Sequence, residues 1–524
     1  MALTSSFTRV LFIAAVALAA VADVEASKTR PAHHKISTNL SKAGEEAEVV
    51  SKRASSGKIN GAYYPNWAID TLKPADIKAA SLTHLFYAFA DISTDSSTIK
   101  LSNPSADEQQ KFSGDTNESG TNLYGALKQL YLIKIAHRNI KTVLSVGGAS
   151  RSGQGHFNFV TSSSKRAAFV KSAVQMVEDY GLDGIDVDYE FPETTAQGEG
   201  LASLVTELRT AFDNLQKQKG DATPYLVTAA TSAVEHQYEY LDFKKMDAAL
   251  NFWNLMAYDY TGSWTSIADD QANLYGGSRT GKSTDKAIKA YTSRGVTASK
   301  INLGLPAYGN VFEKTDGLGK SYSGTGGEDG VYPYKDLPKA GATVHEDTTD
   351  VASYSYDASK RELVSYDTPK IAKLKAQYVQ SKGLAGAFFW DLSNDKRDSN
   401  SLVDTTASTF GSLDQTQNHI NYPSSKFANI RSNMGKGSGG GGSTGKTTSS
   451  HTSTTSKASA TTSKGSKPTS GSGKCSGVAA WNASTNYKPK ASVTYNGHLW
   501  TANDYSHNDM PGNYAGIWTD KGSC

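Results

Sequence analysis

Cysteine is nearly missing from this chain of 524 residues, which contains Cys475, Cys524 and no other. Residues 1–474 therefore offer no thiol nucleophile and no thiolate ligand for a metal. A pair of cysteines in a secreted chain is typical of one disulfide. We expect a Cys475–Cys524 bridge that closes a small C-terminal module.

The sequence also has little net charge and no histidine spacing typical of a metal site. Lys and Arg together number 54, and Asp and Glu 51, which leaves a formal charge of +3. This balance favours neither a nucleic acid nor a membrane as partner, and no metal or cofactor is expected. With 38% hydrophobic and 20% charged residues, the chain is typical of a soluble protein with two or more folded units.

Long apolar runs are missing beyond one near the N-terminus. Val10–Ala20 follows Arg9 and is shorter than the about 20 residues that a membrane span needs. With the small residues Ala20-Val21-Ala22 at its end, the stretch 1–22 is typical of a signal peptide. We therefore predict a secreted, extracellular protein, and association with the cell wall is left open.

Two polar stretches flank the predicted folded units. Residues 23–53 lack Phe, Trp and Tyr and end in Lys52-Arg53, which indicates a pro-segment cut at that pair or a disordered arm. Residues 431–474 consist mostly of Gly, Ser, Thr and Lys, the composition of a flexible linker. The predicted domains are therefore a body at 54–430 and a module at 475–524.

Within the body, eight short apolar runs alternate with stretches of helical periodicity. In one such stretch, Lys165–Tyr180, apolar residues recur on one face. Alternating strands and helices favour parallel strands, and eight of them predict an α/β fold with a closed (β/α)8 TIM barrel. The predicted strands are Ile59–Tyr64, Leu82–Phe89, Thr142–Val146, Gly184–Glu190, Tyr225–Thr231, Phe252–Tyr258, Ile301–Leu305 and Leu384–Trp390.

The seventh and eighth predicted strands are too far apart for one helix to fill the interval. This interval contains Tyr354–Tyr356 and Glu362–Tyr366 on either side of a polar turn, which predicts a β-hairpin. Thr368-Pro369 then supplies a cap and a first-turn proline for a helix that runs to about Lys382. We predict an inserted α+β subdomain at about 311–367, which forms one wall of a substrate cleft.

Acidic residues occupy alternate positions along the fourth predicted strand. Alternate residues of a strand share a face, so Asp186, Asp188 and Glu190 are expected to point into the barrel. Pro192 ends this strand, and the carboxyl ends of barrel strands carry the chemistry of such enzymes. Stacked acids share protons, so the outermost acid, Glu190, is expected to have a raised pKa and to suit general acid catalysis. A solvated turn or a cation-binding loop is the alternative, but such loops do not interleave acids with Ile and Val.

With Asp183 in front, these acids form the pattern Asp-x-x-Asp-x-Asp-x-Glu, which resembles the signature of glycoside hydrolase family 18, the chitinases. The resemblance spans about 58–395 and implies an endo-type enzyme that hydrolyses β-1,4 linkages between N-acetylglucosamine units. It also implies chitin and chitooligosaccharides as partners and a monomeric chain. Other motifs that resemble those of the family, in the same order, are Tyr63–Trp67, Ser145–Gly148, Met256–Asp259, Gly304–Tyr308 and Gly386–Trp390.

The resemblance further implies substrate-assisted catalysis that retains the anomer, because the acetamide oxygen of the sugar attacks the anomeric carbon. Glu190 then protonates the glycosidic oxygen, Asp188 holds the acetamide N–H, and Asp186 shares a proton with Asp188. Tyr258 is expected to donate to the acetamide oxygen. The other expected substrate contacts are Tyr63, Phe89, Met256, Asp259, Tyr308 and Trp390. Supporting roles in the structural motifs are expected for Asp183, Ser145, Gly147 and Gly148.

One departure from the family pattern lies beside the cleft, where Ala149 stands at a position that is Trp in many relatives. One stacking platform is therefore missing, which weakens the case for strong or processive chain binding. The tail resembles the chitin-binding modules of carbohydrate-binding families 5 and 12. By this resemblance Trp481 and Tyr505 are expected to stack on sugar, while Trp500 and Trp518 form the core of the module.

Two other activities are compatible with the motif on the fourth strand. An endo-β-N-acetylglucosaminidase that trims N-glycans shares this motif, although the tail and the inserted subdomain favour chitin. A non-catalytic chitin-binding lectin on the same barrel usually lacks the acid, whereas Glu190 is present here.

Overall fold

The computed structural model describes residues 57–117, 119–435, 475, 477–482, 485–495, 497–502, 506–507, 511 and 518–524. The predicted signal peptide, the predicted pro-segment, residues 436–474 of the predicted linker and Tyr505 lie outside the described residues. Across the described ranges, every helix is too short or too polar to cross a membrane.

Eight parallel strands close into the predicted barrel. Each strand pairs with the next along the chain, and the eighth pairs with the first, with Ile59 opposite Gly386. The strands are β1 Ile59–Pro65, β2 His84–Ile92, β3 Lys141–Gly147, β4 Gly184–Asp188, β5 Leu226–Ser232, β6 Phe252–Met256, β7 Ile301–Pro306 and β8 Gly386–Trp390. A short strand, Ile99–Leu101, pairs antiparallel with the end of β2.

Two barrel strands end earlier than the sequence predicts. β4 stops at Asp188 instead of Glu190, because the Glu190 N–H leaves the ladder and donates to the Ser152 hydroxyl at 2.9 Å. β6 stops at Met256 instead of Tyr258, and Asp259 has a φ of 59°, which is not a strand conformation. Glu190 and Asp259 therefore lie on the loops that follow these strands.

Helices surround the barrel, and local sequence explains where they begin and end. Thr368 caps α8 by accepting from the Ile371 N–H, and Pro369 takes its first position, as predicted. The predicted helix at Lys165–Tyr180 is present and ends at Gly181, whose φ of 69° favours glycine. The helices are α1 Gly125–Ala136, α2 Ala149–Gly153, α3 Ser163–Tyr180, α4 Thr195–Lys219, α5 Glu235–Tyr238, α6 Phe243–Ala249, α7 Thr284–Ser293, α8 Pro369–Ser381, α9 Leu402–Phe410 and α10 Ala428–Arg431. Shorter helical turns lie at Asn66–Ala68, Pro74–Asp76, Ala79–Ser81, Ser105–Gln109, Asn158–Thr161, Ala298–Lys300, Tyr334–Asp336 and Leu392–Asn394.

Apolar side chains pack on both faces of the barrel wall. Ile185 and Val187 of β4 are fully buried in the layer that the strands share with the helices. Inside the barrel, the ring of Tyr63 stacks on Phe86 with centroids 4.8 Å apart and lies 5.5 Å from Phe388. Because the interior is packed, ligands can reach the barrel only at its rim, where the carboxyl ends of the strands meet.

The segment between β7 and β8 forms the predicted inserted subdomain. The hairpin around residues 357–362 is present, with Asp357 opposite Glu362. Among the described residues of this insertion, helical structure is limited to the single turn Tyr334–Asp336. The strands form one antiparallel sheet whose order is Val331–Pro333, Tyr308–Phe312, Glu362–Ser365, Ala352–Asp357 and Thr343–Asp347.

The C-terminal module contains small β-sheets and the predicted disulfide. Cys475 and Cys524 are bonded, with their Cα atoms 5.2 Å apart. Trp518 is buried, as predicted, whereas Trp500 is half-buried and donates from Nε1 to a backbone carbonyl at 3.1 Å. Trp481, expected to stack on sugar, is half-buried and packs against the core around Trp518. The strands are Asn486–Tyr487, Ser492–Tyr495, His498–Ala502, Ser506–His507 and Trp518–Ser523.

Candidate active site

Asp186 lies inside the barrel on β4, where side chains of neighbouring strands surround its carboxylate with donors. Its Oδ2 accepts from the hydroxyls of Tyr63 and Ser145, each at 2.8 Å. Its Oδ1 accepts from Thr228 Oγ1 at 2.7 Å and from Asn254 Nδ2 at 3.2 Å. Burial raises the pKa of Asp186, and the four donors oppose this rise because they favour the anion. Both oxygens of Asp186 are therefore occupied in holding this network.

Asp188 lies two residues further along β4 and is almost fully buried. Its Oδ1 has no hydrogen-bond partner among the described residues. Burial, followed by the negative charges of Glu190 and Asp186, raises the pKa of Asp188 well above the usual range of an aspartate. Its Oδ1 is therefore available to accept an N–H from a ligand.

Glu190 completes the line of acids on the loop that follows β4. Burial, followed by the negative charge of Asp259, raises the pKa of Glu190 from 4.5 to about 7. The backbone N–H of Ala149 donates to the carboxylate and opposes this rise. An acid with this pKa keeps its proton near neutrality and can transfer it to a leaving oxygen.

Asp259 is held on the loop after β6 by two donors of the inserted subdomain. The Tyr308 hydroxyl donates to its Oδ1 at 2.7 Å, and Asn310 Nδ2 donates to the same atom at 3.1 Å. The φ of 59° lies in the left-handed region, which aspartate tolerates better than most residues. The insertion thus fixes the position of the charge that acts on Glu190.

Aromatic rings form a floor and a rim beside the acids. Trp390, at the end of β8, is half-buried and stacks on Phe89 with centroids 5.6 Å apart. Its ring also lies 5.5 Å from Tyr63 and 6.4 Å from Trp67, which is 51% exposed. Flat rings with one accessible face suit the apolar face of a sugar ring.

Tyr258 closes the cluster on the side of β6. Burial and the charge of Asp188 raise the pKa of Tyr258 well above 10, so its hydroxyl keeps the proton and can donate. Met256 is half-buried and packs in the same aromatic cluster. Gly304 of β7 leaves room for the ring, because a Cβ there would lie 2.8 Å from Tyr258.

Gly147 and Gly148 let the end of β3 approach the acids closely. Their φ values of 114° and 83° lie in the region that favours glycine. A Cβ on Gly147 would lie 2.4 Å from the carbonyl oxygen of Asp188, and one on Gly148 would lie 2.7 Å from the Phe89 ring. A larger residue at position 147 would therefore displace the end of β4, and one at position 148 would displace the Phe89 ring of β2.

Asp183 lies at the opposite end of β4 from Asp188. Its carboxylate accepts from the Thr142 N–H at 2.7 Å and the His419 N–H at 2.8 Å, and Lys134 Nζ lies 2.8 Å away. These contacts connect the start of β4 to β3, to the segment around His419 and to α1. Asp183 is therefore distant from the rim of the barrel.

The structure brings most of the predicted site residues together at the rim, and it adds others. The residues that sequence reasoning missed are Thr228, Asn254, Ser152, Asn310 and Trp67. Asn254 could have been found, because it is the one polar residue of the strand Phe252–Met256 and lies at an inward position, and Thr228 is likewise a polar residue at an inward position of its strand. The other three lie outside the barrel strands, where periodicity gives no signal. The predicted residues that meet at the rim are Tyr63, Phe89, Ser145, Asp186, Asp188, Glu190, Met256, Tyr258, Asp259, Tyr308 and Trp390.

The chemistry of this rim is that of carboxyl groups, hydroxyls and aromatic rings. Within the described part of the chain, no group of His, Cys, Asp or Glu side chains is arranged to hold a metal ion. A protonated carboxylic acid, a second carboxyl group with an unpaired oxygen and a phenol donor can together transfer a proton and stabilise a positive charge.

Comparisons with known proteins place this arrangement in a family. Chitinase 1 of Aphanocladium album is 41% identical over 398 residues, which cover 74% of this chain and 93% of that protein. Endochitinase 1 of Metarhizium robertsii is 40% identical over 400 residues, which cover 74% of this chain and 93% of that protein.

Solved structures show the same fold. The chitinase from Cycas revoluta in complex with (GlcNAc)3 has a TM-score of 0.59 and 26% identity and covers 67% of this chain and 100% of its own. A chitinase-like agglutinin from Robinia pseudoacacia has a TM-score of 0.59 and 26% identity. The match covers 67% of this chain and 100% of the agglutinin. Residues 60–395 match the family described as glycosyl hydrolases family 18. With its barrel, its line of acids and this match, the chain belongs to glycosyl hydrolases family 18.

Proposed function

We propose that this protein is an endo-type chitinase that hydrolyses β-1,4 linkages between N-acetylglucosamine units by substrate-assisted catalysis with retention of the anomer. One observation carries the proposal: Glu190, with a pKa of about 7, lies in line with Asp188, whose Oδ1 has no partner among the described residues. The names of the fungal relatives, a chitinase and an endochitinase, support chitin as the substrate and cleavage within the chain.

The first step is the transfer of a proton from Glu190 to the glycosidic oxygen. As the bond from this oxygen to the anomeric carbon breaks, the acetamide oxygen of the same sugar forms a new bond to that carbon. The intermediate is a bicyclic oxazolinium ion, and Glu190 is left as an anion. Water then attacks the anomeric carbon and gives a proton back to Glu190, while the bond from this carbon to the acetamide oxygen breaks and the acetamide is restored. Two inversions at one carbon leave the product with the β configuration.

The remaining acids stabilise the positive charge instead of attacking the sugar. Asp186 accepts from four donors, which hold it inside the barrel as an anchor. Asp188 accepts the acetamide N–H at its Oδ1 and balances the charge that develops on the ring. The Tyr258 hydroxyl donates to the acetamide oxygen and keeps that nucleophile near the anomeric carbon. Sharing of a proton between Asp186 and Asp188 stays a prediction.

Binding of the chain uses the aromatic rings at the rim. Trp390 forms the floor under the reacting sugar, with Tyr63 and Phe89 beneath it, while Tyr308 and Asp259 line the same subsite. Ala149 offers no ring on the side of β3, so strong or processive binding of the chain is not expected. The C-terminal module adds affinity for the polymer by holding the enzyme near its surface.

We also propose that the enzyme is secreted and acts as a monomer outside the cell. The apolar stretch at residues 10–20 and the Cys475–Cys524 disulfide support passage through an oxidising secretory compartment. Chitin in a cell wall is a polymer outside the membrane, so an enzyme that acts on it must reach that compartment.

Product release from two substrates tests the proposed substrate. Chitin oligomers and a high-mannose glycoprotein should be incubated with the protein and with Glu190→Gln, and released sugars measured. We expect release from the oligomers alone, and only with the unmodified protein. Preferential release of N-glycans would favour an endo-β-N-acetylglucosaminidase. Binding of oligomers without release from either substrate would indicate a lectin.

A further inference from the structure

The backbone of Glu190 lies beyond the barrel ladder, and one serine holds it there. We propose that Ser152 is a positioning residue that fixes Glu190 in its proton-donating position. This inference rests on the proposed role of Glu190 as the acid, and it assigns to Ser152 a function that the sequence pattern does not mark.

Ser152 links the two backbone groups that follow the end of β4. Its Oγ accepts from the Glu190 N–H at 2.9 Å and donates to the Asp188 carbonyl oxygen at 3.4 Å. The side chain is buried at the edge of the barrel. Because β4 has ended, no neighbouring strand accepts the Glu190 N–H, and the serine hydroxyl takes that place.

Helix α2, which carries Ser152, also contacts the other end of Glu190. The backbone N–H of Ala149, at the start of this helix, donates to the Glu190 carboxylate. Backbone hydrogen bonds connect the helix to β4. The Gly148 N–H donates to the Asp188 carbonyl at 2.9 Å, and the Ser152 N–H donates to the Gly148 carbonyl at 3.0 Å. One short element therefore holds both the backbone and the carboxyl group of Glu190.

Removal of the hydroxyl would leave the Glu190 N–H without its acceptor in a part-buried place. The loop could pair this N–H again only by moving toward water, and the carboxyl group would move with it. Burial is the largest cause of the raised pKa of Glu190, so a more exposed carboxyl group has a lower pKa. Ser152 thus influences the proton donor without touching the substrate.

Steady-state kinetics of Ser152→Ala on a soluble chitooligosaccharide test this role. We expect kcat near neutral pH to fall about 10-fold, the effect of a pKa of Glu190 that is lower by about 1 unit. KM should stay within about twofold, because Ser152 lines no sugar subsite. The alkaline limb of the pH profile of kcat/KM should move to lower pH. Ser152→Cys keeps a weaker acceptor, so its kcat should lie between those of the alanine variant and the unmodified protein. It replaces the alanine variant in the test if that variant does not fold.

Ser425→Ala is a matched control at the opposite end of the barrel. Ser425 is also buried, and its Oγ accepts from the Phe427 N–H at 3.1 Å and donates to the Asp179 carbonyl at 2.6 Å. Both alanine variants lose a backbone donor and a backbone acceptor contact, so similar falls in Tm are expected. Only Ser152→Ala should change kcat and the pH profile.

The measurements distinguish a failure of the positioning role from a failure of the proposed function. The positioning role is wrong if Ser152→Ala keeps the unmodified kcat and pH profile, or if Ser425→Ala changes them equally. Glu190→Gln, measured in parallel, tests the acid itself. High turnover by Glu190→Gln would refute the proposed function, whereas an inactive Glu190→Gln beside an unaffected Ser152→Ala refutes the positioning role alone.

Discussion

The charge of Asp259 should raise the highest pH at which the enzyme works. The general acid must be protonated, so activity falls as the pH rises through the pKa of Glu190, which is about 7. Asp259 raises that pKa through its negative charge. Replacement of Asp259 by Asn removes the charge, lowers the pKa of Glu190 and should move the alkaline limb of kcat/KM to lower pH.

The structure limits the size of this shift. Burial is the larger cause of the rise from 4.5 to about 7, so Asp259 supplies the smaller part, and we expect its removal to lower the pKa by about 1 unit. Well above the pKa, a shift of about 1 unit leaves a tenth of the protonated acid and hence about a tenth of the activity. Asn tolerates the left-handed φ, and its Oδ1 can still accept from Tyr308 and Asn310, so the loop should be retained.

The assay is kcat/KM for a soluble chitooligosaccharide from about pH 4 to pH 9, which reports on the pKa values of the free enzyme. Glu193→Gln is the control, because it removes the same charge three residues after Glu190 at an exposed position. Glu193→Gln should leave the alkaline limb in place. An unchanged limb in Asp259→Asn, or a shift to higher pH, would show that the charge of Asp259 does not act on the acid.

Three further outcomes follow from the proposed function. Glu190→Gln should abolish hydrolysis and keep oligosaccharide binding, since only the proton donor is lost; turnover above about a hundredth of the original would contradict the role of Glu190. NMR of fresh product should show the β-anomer first, and fully deacetylated chitosan should not be cleaved, because it lacks the acetamide nucleophile; an α-anomer would exclude this mechanism. A chain cut near Gly440 should keep its activity on soluble oligomers and lose activity on crystalline chitin, and equal losses on both substrates would assign the tail to the catalytic fold.

The periodicity of the sequence was sufficient to predict the barrel and the direction of its acids. Runs such as Gly184–Glu190 alternate in polarity, and alternation alone decides which side chains point inward. The end of β4 was not predictable at the level of single residues, because it depends on where α2 supplies an acceptor for the Glu190 N–H. Strand ends at a barrel rim are determined by loops from other strands, which a local pattern does not encode.

Residues that act through long-range contacts were the ones missed. Asn310 reaches Asp259 across 51 positions of sequence, and Asn254 reaches Asp186 across 68. Neither contact can be inferred from the spacing of residues in the sequence, although Asn254 is the one polar residue in the strand Phe252–Met256. Trp67 lies in the Tyr63–Trp67 motif, but that motif does not assign it to the site, and its 51% exposure becomes informative only beside Trp390.

The anchoring of Asp183 has a practical consequence for anyone who expresses or shortens this protein. The match to the family ends at residue 395, yet the buried carboxylate of Asp183 accepts from the backbone of His419 as well as contacting Lys134. A chain terminated at 395 would lose that donor and expose the end of the barrel where the strands begin. The acids at the rim would still be present in its sequence. Such a protein should be recovered as aggregate or be degraded by proteases, and fusion tags are better attached after residue 435.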